Sequence, residues 1–464
     1  MKNYFLFVTV FFCSTLQISF AQSNKIKNSS IITKEEKVYE FSIIWKEISY
    51  NFDNFDNCPN LNIDSLYKAY LPLIQETKND LEYFKLIQRF LAHFNNAHTF
   101  LYDWPEYLDP YLALLYLKSA YKDGKIYVDN IPAYHKKKIY IGDEIVTVNG
   151  VDAVEYFKKY YVPYYSLSNE EEKLSYSMFA RGIAHIYPFH TKFILGIKRD
   201  DEIKKVKIYT DRKLNNAPAD WLVKDFSSYK ENLFAVDTVH DFAYIRLISS
   251  KSNSENFFLQ HIDSIKRFNH LILDIADNLG GESKYNKFIY SYLIDKDTIM
   301  GYHRSSRIHI PYHKAKGCIY CNSLVRGDEW NDYNCNWCQG KQFQAIDNYN
   351  VINLVESEQR YKGKVYVMIG VNTASAGEDL AITLSQDENI FFIGKKTNGA
   401  TGQTYLVSLP SGVKIGINTA KTYDFRDKDV SSGFLPNYEC DFSDIYKTSD
   451  IKELLFRFRE LIFK

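Results

Sequence analysis

Apolar residues recur every three or four positions in two stretches near the amino terminus of the chain. The first stretch covers residues 34–52 and the second, which is longer, covers residues 64–94. This spacing predicts amphipathic helices, and Asp80 is a candidate cap within the second stretch. The pattern therefore predicts a helical N-terminal domain, which we place at residues 22–105.

The segment that follows has a different residue pattern, in which residues typical of strands alternate with residues typical of turns. Residues 125–128 are strand-like, residues 139–150 combine strand and turn signals, and residues 192–210 are again rich in β-forming side chains. Residues 157–187 are charged and rich in tyrosine, and we interpret them as a helical insertion. We therefore expect a second, mainly β domain at residues 106–215.

From residue 242 onward the pattern alternates between strand and helix. Strands are predicted at 243–247, 270–275, 364–369 and 390–394, and helices at 256–268 and 378–385. This alternation predicts an α/β fold with a mostly parallel sheet. We place this third domain at residues 216–464, with a cysteine-rich insertion near residues 312–345.

The first 21 residues have the pattern of a secretory signal peptide. An apolar stretch from Tyr4 to Ile18 precedes Ser19 and Ala21, small side chains at the positions that a signal peptidase needs for cleavage after Ala21. Bulky residues before Cys13 disfavour a lipid anchor there. No later apolar run approaches the roughly 20 residues that a membrane helix requires. We therefore expect export to the periplasm or the exterior, without an integral membrane span.

The charge balance narrows the range of partners. Lys plus Arg and Asp plus Glu each total 57 residues. A chain without excess positive charge lacks the pattern typical of proteins that bind nucleic acids or anionic membranes. No nucleic-acid partner is therefore expected, and the composition does not indicate an oligomeric state.

Four cysteines form two closely spaced pairs in the insertion: Cys318, Cys321, Cys335 and Cys338. Their spacing is close to that of a zinc ribbon, in which four thiolates close a tetrahedron around a structural metal. Two disulfides are the alternative, because export makes them plausible. We favour structural zinc and expect no catalytic cofactor. The sequence leaves open whether Cys58 and Cys440 are paired.

Ser375 lies between a predicted strand and a predicted helix, where α/β sheets place reactive groups. A helix N-cap is the alternative role for a serine at such a position. The glycines Gly280 and Gly281 follow another strand of the same sheet. Their N–H groups, with that of Ala376, could converge on the oxyanion that forms when a serine attacks a carbonyl.

Taken in chain order, these segments resemble the tail-specific or C-terminal processing serine peptidases, and specifically their tricorn-core branch. The motifs that carry the resemblance are Ala97-His98-Thr99, Ile141 to Gly150, Gly280-Gly281, Thr373 to Glu378, and Gly433 to Asn437. The resemblance implies a PDZ-like second domain and a crotonase-like (ClpP/crotonase) core. Ala276 departs from the pattern, since the family usually has arginine there.

The resemblance also implies the catalytic groups. The branch with a serine-lysine dyad would place its lysine at Ala400, so the tricorn-like arrangement, with His98 as general base, is the stronger reading. Glu378 and Asp429 are the candidate acidic partners. The expected function is that of an exported serine endopeptidase that cleaves polypeptides through an acyl-enzyme on Ser375. The alternative is an inactive homologue that binds peptides or other ligands.

Overall fold

The computed structural model describes residues 31–105, 107–108, 117–132, 135–167, 173–174, 192–209, 222, 226, 231–309, 315 and 343–463. The predicted signal peptide and the four clustered cysteines of the insertion lie outside these ranges.

The helices and strands of the described residues follow each other through the whole chain. The helices are α1 (Lys34–Asn51), α2 (Ile63–Gln75), α3 (Asp80–Ala92), α4 (Ala153–Tyr160), α5 (Ser252–Ile265), α6 (Lys287–Leu293), α7 (Ala376–Leu384) and α8 (Ile451–Ile462). The strands are β1 (Phe100–Leu101), β2 (Lys118–Lys122), β3 (Lys125–Asn130), β4 (Glu144–Val148), β5 (Val151–Asp152), β6 (Lys192–Arg199), β7 (Glu202–Tyr209), β8 (Leu233–Asp237), β9 (Phe242–Arg246), β10 (His270–Asp274), β11 (Thr298–Arg307), β12 (Phe343–Ile352), β13 (Lys364–Ile369), β14 (Ile390–Gly394), β15 (Thr404–Ser408), β16 (Lys414–Asn418), β17 (Lys421–Tyr423) and β18 (Tyr438–Glu439).

The second predicted helical stretch forms two helices, α2 and α3, and α3 begins at Asp80. The cap of α3 is Asn79, whose side chain accepts a hydrogen bond from the Glu82 N–H, so the prediction of Asp80 as the cap is wrong. The Asp80 carboxylate instead pairs with Lys37 at 3.3 Å and accepts the N–H of Ile31. This buried ion pair joins α3 to α1.

The N-terminal helices share an apolar cluster with the hairpin of β15 and β16, to which Phe41, Phe84, Phe90, Ile415 and Ile417 belong. Strand β1 extends that hairpin, pairing antiparallel with β16. These contacts hold the loop before β1, which carries His98, against the C-terminal half of the chain.

Strands β2, β3, β4, β6 and β7 form an antiparallel sheet, here called the middle sheet. Helix α4 packs its apolar side chains into the same cluster as this sheet. The strands agree with the mainly β segment predicted from the sequence. Most of the predicted helical insertion at 157–187 lies outside the described residues; its described part includes the end of α4.

A second sheet, here called the central sheet, has the order β18, β14, β13, β10, β9, β8 and is parallel except for β8. Alternate residues face opposite sides. Ala243 and Ile245 pack with α5, α6 and α7, while Phe242 and Tyr244 pack with α8. Burial on both faces explains why these strands read as continuous apolar runs. The mixed α/β class predicted from the sequence is confirmed.

Strand β11 pairs antiparallel with β12 and β17 in a separate sheet. Its residue Arg304 is buried and reaches α7, the helix that follows Ser375. Within the described ranges, every helix is too short or too polar to span a bilayer.

Candidate active site

Ser375 occupies a strained turn between β13 and α7. Its backbone angles are φ 54° and ψ −123°, in the positive-φ region that side chains other than glycine rarely adopt. An ordinary N-cap residue has extended angles, as Thr33 does with φ −67° and ψ 164°. Strain of this kind at a strand-to-helix turn is typical of an exposed nucleophile.

The carboxylate of Glu378 holds this turn in place. Oε2 accepts the Ser375 N–H at 3.1 Å, and Oε1 accepts the Thr397 hydroxyl at 2.6 Å and the Gly399 N–H at 2.8 Å. Burial raises the pKa of Glu378 to about 7, although these donors act in the opposite direction. Its hydrogen bonds thus go to the Ser375 turn and to the 397–399 segment, not to His98.

The loop after β10 interlocks with the Ser375 turn. The Ala374 N–H donates to the Asn278 carbonyl at 2.9 Å, and the Asn372 side chain donates to Asp277 at 3.0 Å. Gly280, at φ 92°, lies so close that a Cβ added there would be 2.7 Å from the Ser375 Cβ. Only glycine fits at this position, and the close approach brings the two turns together.

The N–H groups of this loop are not equivalent. The Gly280 N–H donates to Asn278 Oδ1 at 2.9 Å and is therefore not free to donate to a ligand. The N–H groups of Gly281 and Ala376 donate to no atom of the described residues. Of the three donors expected from the sequence, these two have no partner within the described residues, and Gly281 also lines the cavity beside Ser375.

His98 lines the same cavity as Ser375 and Gly281, which has a volume of 490 Å³. The pKa of His98 is lowered to about 4, first by burial and then by the positive charge of Arg304, while a backbone hydrogen bond with Thr401 acts in the opposite direction. The imidazole is therefore uncharged at neutral pH and able to accept a proton.

Asp429 does not line the cavity that contains His98. Its side chain is exposed, and its Oδ1 accepts the Ser431 N–H at 2.8 Å. It is not among the residues that line the cavity. The structure thus brings together Ser375, His98 and Gly281, but places Asp429 outside the cavity they line.

A buried ion pair that was not predicted from the sequence forms one wall of the cavity. Arg304 Nη2 lies 3.1 and 3.3 Å from the two carboxylate oxygens of Asp379, and Asp379 also accepts the Ser283 hydroxyl at 2.6 Å. Arg304 and Asp379 are 75 positions apart. In the sequence, only Asp379 itself, a second acidic residue directly after Glu378, could have suggested this pair. Acidic residues are common in the first turn of a helix, where they interact favourably with the helix dipole, so Asp379 alone does not indicate a site.

An arginine does lie beside the end of β10, although Ala276 replaces the one that the family resemblance leads one to expect. Arg246 of the neighbouring strand is fully buried and forms ion pairs with Asp277 and Asp274. Asp277 also receives the Asn372 side chain, so this network supports the base of both turns.

The expected metal ligands Cys318, Cys321, Cys335 and Cys338 lie outside the described residues. Cys58 and Cys440 are described, and both are free thiols. No cluster of potential metal ligands occurs within the part of the chain that the structure covers.

Residues 241–440 match the model of peptidase family S41. This part of the chain is an S41 peptidase domain. The match confirms the family predicted from the ordered motifs, and it extends over the Gly280-Gly281 loop and the Ser375 turn. The match supports a serine peptidase, with polypeptide as the class of substrate that the family implies.

Solved structures resemble the chain beyond the S41 domain. Mature CPAF complexed with lactacystin is 13% identical, with a TM-score of 0.67, over 93% of this chain and 98% of that one. Mature CPAF is 13% identical, with a TM-score of 0.68, over 93% and 97%. At this identity the likeness concerns the fold. No curated protein matches the chain.

Proposed function

We propose that the protein is an exported serine endopeptidase of the tricorn-core type, with Ser375 as nucleophile and His98 as general base. One observation carries this proposal. Ser375, held at positive φ, lines a single cavity with His98 and with the free N–H of Gly281, although these residues come from distant parts of the chain. A nucleophile, a neutral base and an oxyanion donor in one cleft are what acyl transfer requires.

In the first step, Ser375 Oγ bonds to the carbonyl carbon of the substrate while its proton passes to His98. The N–H groups of Gly281 and Ala376 stabilise the negative charge on the carbonyl oxygen. The C–N bond then breaks as His98 returns the proton to the leaving amine. Water attacks the resulting ester, giving a proton to His98, and that proton returns to Ser375 Oγ as the acyl group leaves.

A serine-lysine dyad is less well supported. The position where the dyad lysine would fall is Ala400, which is buried, and Lys395 forms an ion pair with Asp441 at 3.0 Å. Lys287 does line the cavity, but its side chain is exposed on α6. A lysine acts as a base at neutral pH only when burial lowers its pKa.

The proposal also covers the fold of two domains and the export of the chain. We propose that the middle sheet is PDZ-like, since it is antiparallel, packs one helix and has β2 as an edge strand in the described sheet. A free edge of this kind can bind an extended peptide by adding it as a strand. The parallel central sheet supports a crotonase-like core, and the apolar leader supports export.

Covalent labelling with a fluorophosphonate tests the nucleophile. We expect stoichiometric labelling at pH 8, located at Ser375 by peptide mass spectrometry and absent from Ser375→Ala. Ser385→Ala, at the other end of α7, is the matched control and should label normally.

The base is tested in the same assay. His98→Gln should lower the labelling rate by about 10²–10⁴-fold, the usual contribution of a general base, whereas Lys287→Gln should not. Folded wild-type protein that does not label at pH 8 would overturn the enzyme and favour a peptide-binding homologue. A loss of labelling in Lys287→Gln, with His98→Gln unaffected, would instead identify a lysine base.

A further inference from the structure

The ion pair of Arg304 and Asp379 lies where it can act on the proposed base. Arg304 comes from β11 and Asp379 from the first turn of α7, four positions after Ser375, and both line the cavity with His98. The guanidinium also packs against the ring of Tyr302, with its carbon 4.8 Å from the ring centre. Both partners are buried, so the pair has a fixed place in the cavity wall.

The pair is also joined to the segment that follows Gly281 in the loop after β10. The Ser283 hydroxyl, two positions after Gly281, donates to Asp379 Oδ2 at 2.6 Å. The side chain of Asn286 donates to the Ala376 carbonyl at 2.7 Å from the same segment. Movement of Arg304 is therefore restricted by groups that also fix the Ser375 helix and the Gly281 loop.

The other charged groups around the cavity have different surroundings. Glu282 and Lys284 pair with each other at 2.5 Å at the exposed rim, and Lys287 is exposed on α6. Solvent screens exposed charges strongly, whereas a buried charge acts over a longer range. Of the charged side chains that line the cavity with His98, Arg304 and its partner Asp379 are thus the two that are buried.

We propose that Arg304, anchored by Asp379, is a positioning residue that keeps the imidazole of His98 uncharged in the cavity. This inference rests on the proposed Ser375 and His98 chemistry. A nearby buried positive charge makes a second one unfavourable, so His98 remains a free base well below neutral pH. Consistent with this geometry, burial and then Arg304 lower the pKa of His98 to about 4.

The test measures His98 directly, so it does not depend on turnover. In a Ser375→Ala background, the histidine ring signals of the full mature chain are followed by NMR during a pH titration, and His98→Gln assigns the signal. Arg304→Met should raise the pKa of His98 by about one pH unit. Arg304→Lys keeps the charge and should leave the pKa near the starting value, and Lys287→Met is the rim control.

Arg304→Met leaves the buried Asp379 without its positively charged partner, which can prevent folding. The double variant Arg304→Met, Asp379→Asn removes both charges and keeps an acceptor for Ser283. It should raise the pKa in the same direction but by less than Arg304→Met, because a negative charge is lost as well. With Ser375 present, the labelling rate of Arg304→Met at pH 4.5 relative to pH 8 should be about threefold lower than that of wild type, as a one-unit rise in pKa requires, and the double variant should lie between the two.

An unchanged His98 pKa in the folded double variant would overturn the proposal and leave Arg304 with a structural or substrate-binding role. A rise in the pKa without any labelling of the wild-type protein would support the electrostatic role of Arg304 and contradict the proposed peptidase instead.

Discussion

Oε2 of Glu378 accepts the backbone N–H of Ser375 at 3.1 Å. The other carboxylate oxygen accepts the Thr397 hydroxyl and the Gly399 N–H. The strained Ser375 turn is thus tied to a second loop through one buried side chain. An acidic residue three positions after the nucleophile therefore has a clear positioning role without contact with the base.

Glu378→Gln should weaken this turn. The substituted amide places a donor where Oε2 accepts the Ser375 N–H, or else turns its donor toward Thr397 and Gly399. We expect a loss of about 1–3 kcal/mol in the free energy of unfolding, together with at least tenfold slower labelling of Ser375. Urea unfolding and labelling kinetics measure the two effects, and wild-type values for both would show that the carboxylate is dispensable.

Gly280→Ala should disrupt the contact between the two turns. A Cβ at this position would be 2.7 Å from the Ala374 carbonyl oxygen and from the Ser375 Cβ, and the residue is at φ 92°. We expect a loss of about 2–4 kcal/mol in the free energy of unfolding and no labelling of Ser375 in the folded fraction.

Gly412→Ala is the matched control for Gly280→Ala. Gly412 has a similar φ of 85°, but a Cβ there would meet nothing within 4 Å. Gly412→Ala should lower the free energy of unfolding only by the backbone strain, about 1–2 kcal/mol. Ser375 in this variant should label at the wild-type rate. Equal labelling of the two variants would show that the approach of Gly280 to Ser375 does not matter.

Elements with strong local signals could be predicted from the sequence. Strands β13 and β14 have the predicted bounds, because each is a short apolar run that ends in turn residues. The break between α2 and α3 falls at the polar residues 76–79, and the candidate cap Asp80 marked it one position after the true cap, Asn79. Asp80 was misjudged because its long-range partner, Lys37, cannot be seen in a local pattern.

Some residues of the candidate site could be predicted from the sequence and others could not. Ser375, His98 and the two glycines stand in recognisable segments, and the fold brings Ser375, His98 and Gly281 to one cavity. Arg304 lies inside a strand, with nothing around it that suggests a site. Its pairing with Asp379 arises only when β11 packs against α7, and no spacing rule predicts such a contact.

Asp429→Asn should have little effect on catalysis. Asp429 is exposed, lies outside the cavity, and uses Oδ1 to accept the Ser431 N–H, which asparagine can also do. Surface substitutions of this kind change free energies by about 0.5 kcal/mol or less, so kcat/KM for a peptide substrate should stay within about twofold of wild type. A loss of about 10³-fold or more would instead identify Asp429 as the partner of His98.

The four clustered cysteines should bind one zinc ion per chain, as their spacing predicts. Metal analysis of the purified protein measures the ratio, and Cys318→Ser or Cys335→Ser should lower it. Cys440→Ser, which changes a free thiol, is the control. Protein without zinc whose intact mass shows two disulfides would contradict the metal site.

The pH dependence of labelling should follow the ionisation of His98. Burial and then Arg304 lower its pKa to about 4, so the neutral form that accepts the Ser375 proton predominates above that pH and is lost below it. The labelling rate should therefore stay nearly constant from pH 8 to pH 5 and reach half of its maximum near pH 4. His98→Gln should lack this acid limb. A wild-type midpoint near 6.5, the value of an exposed histidine, would show that the base is not the buried imidazole described in this structure.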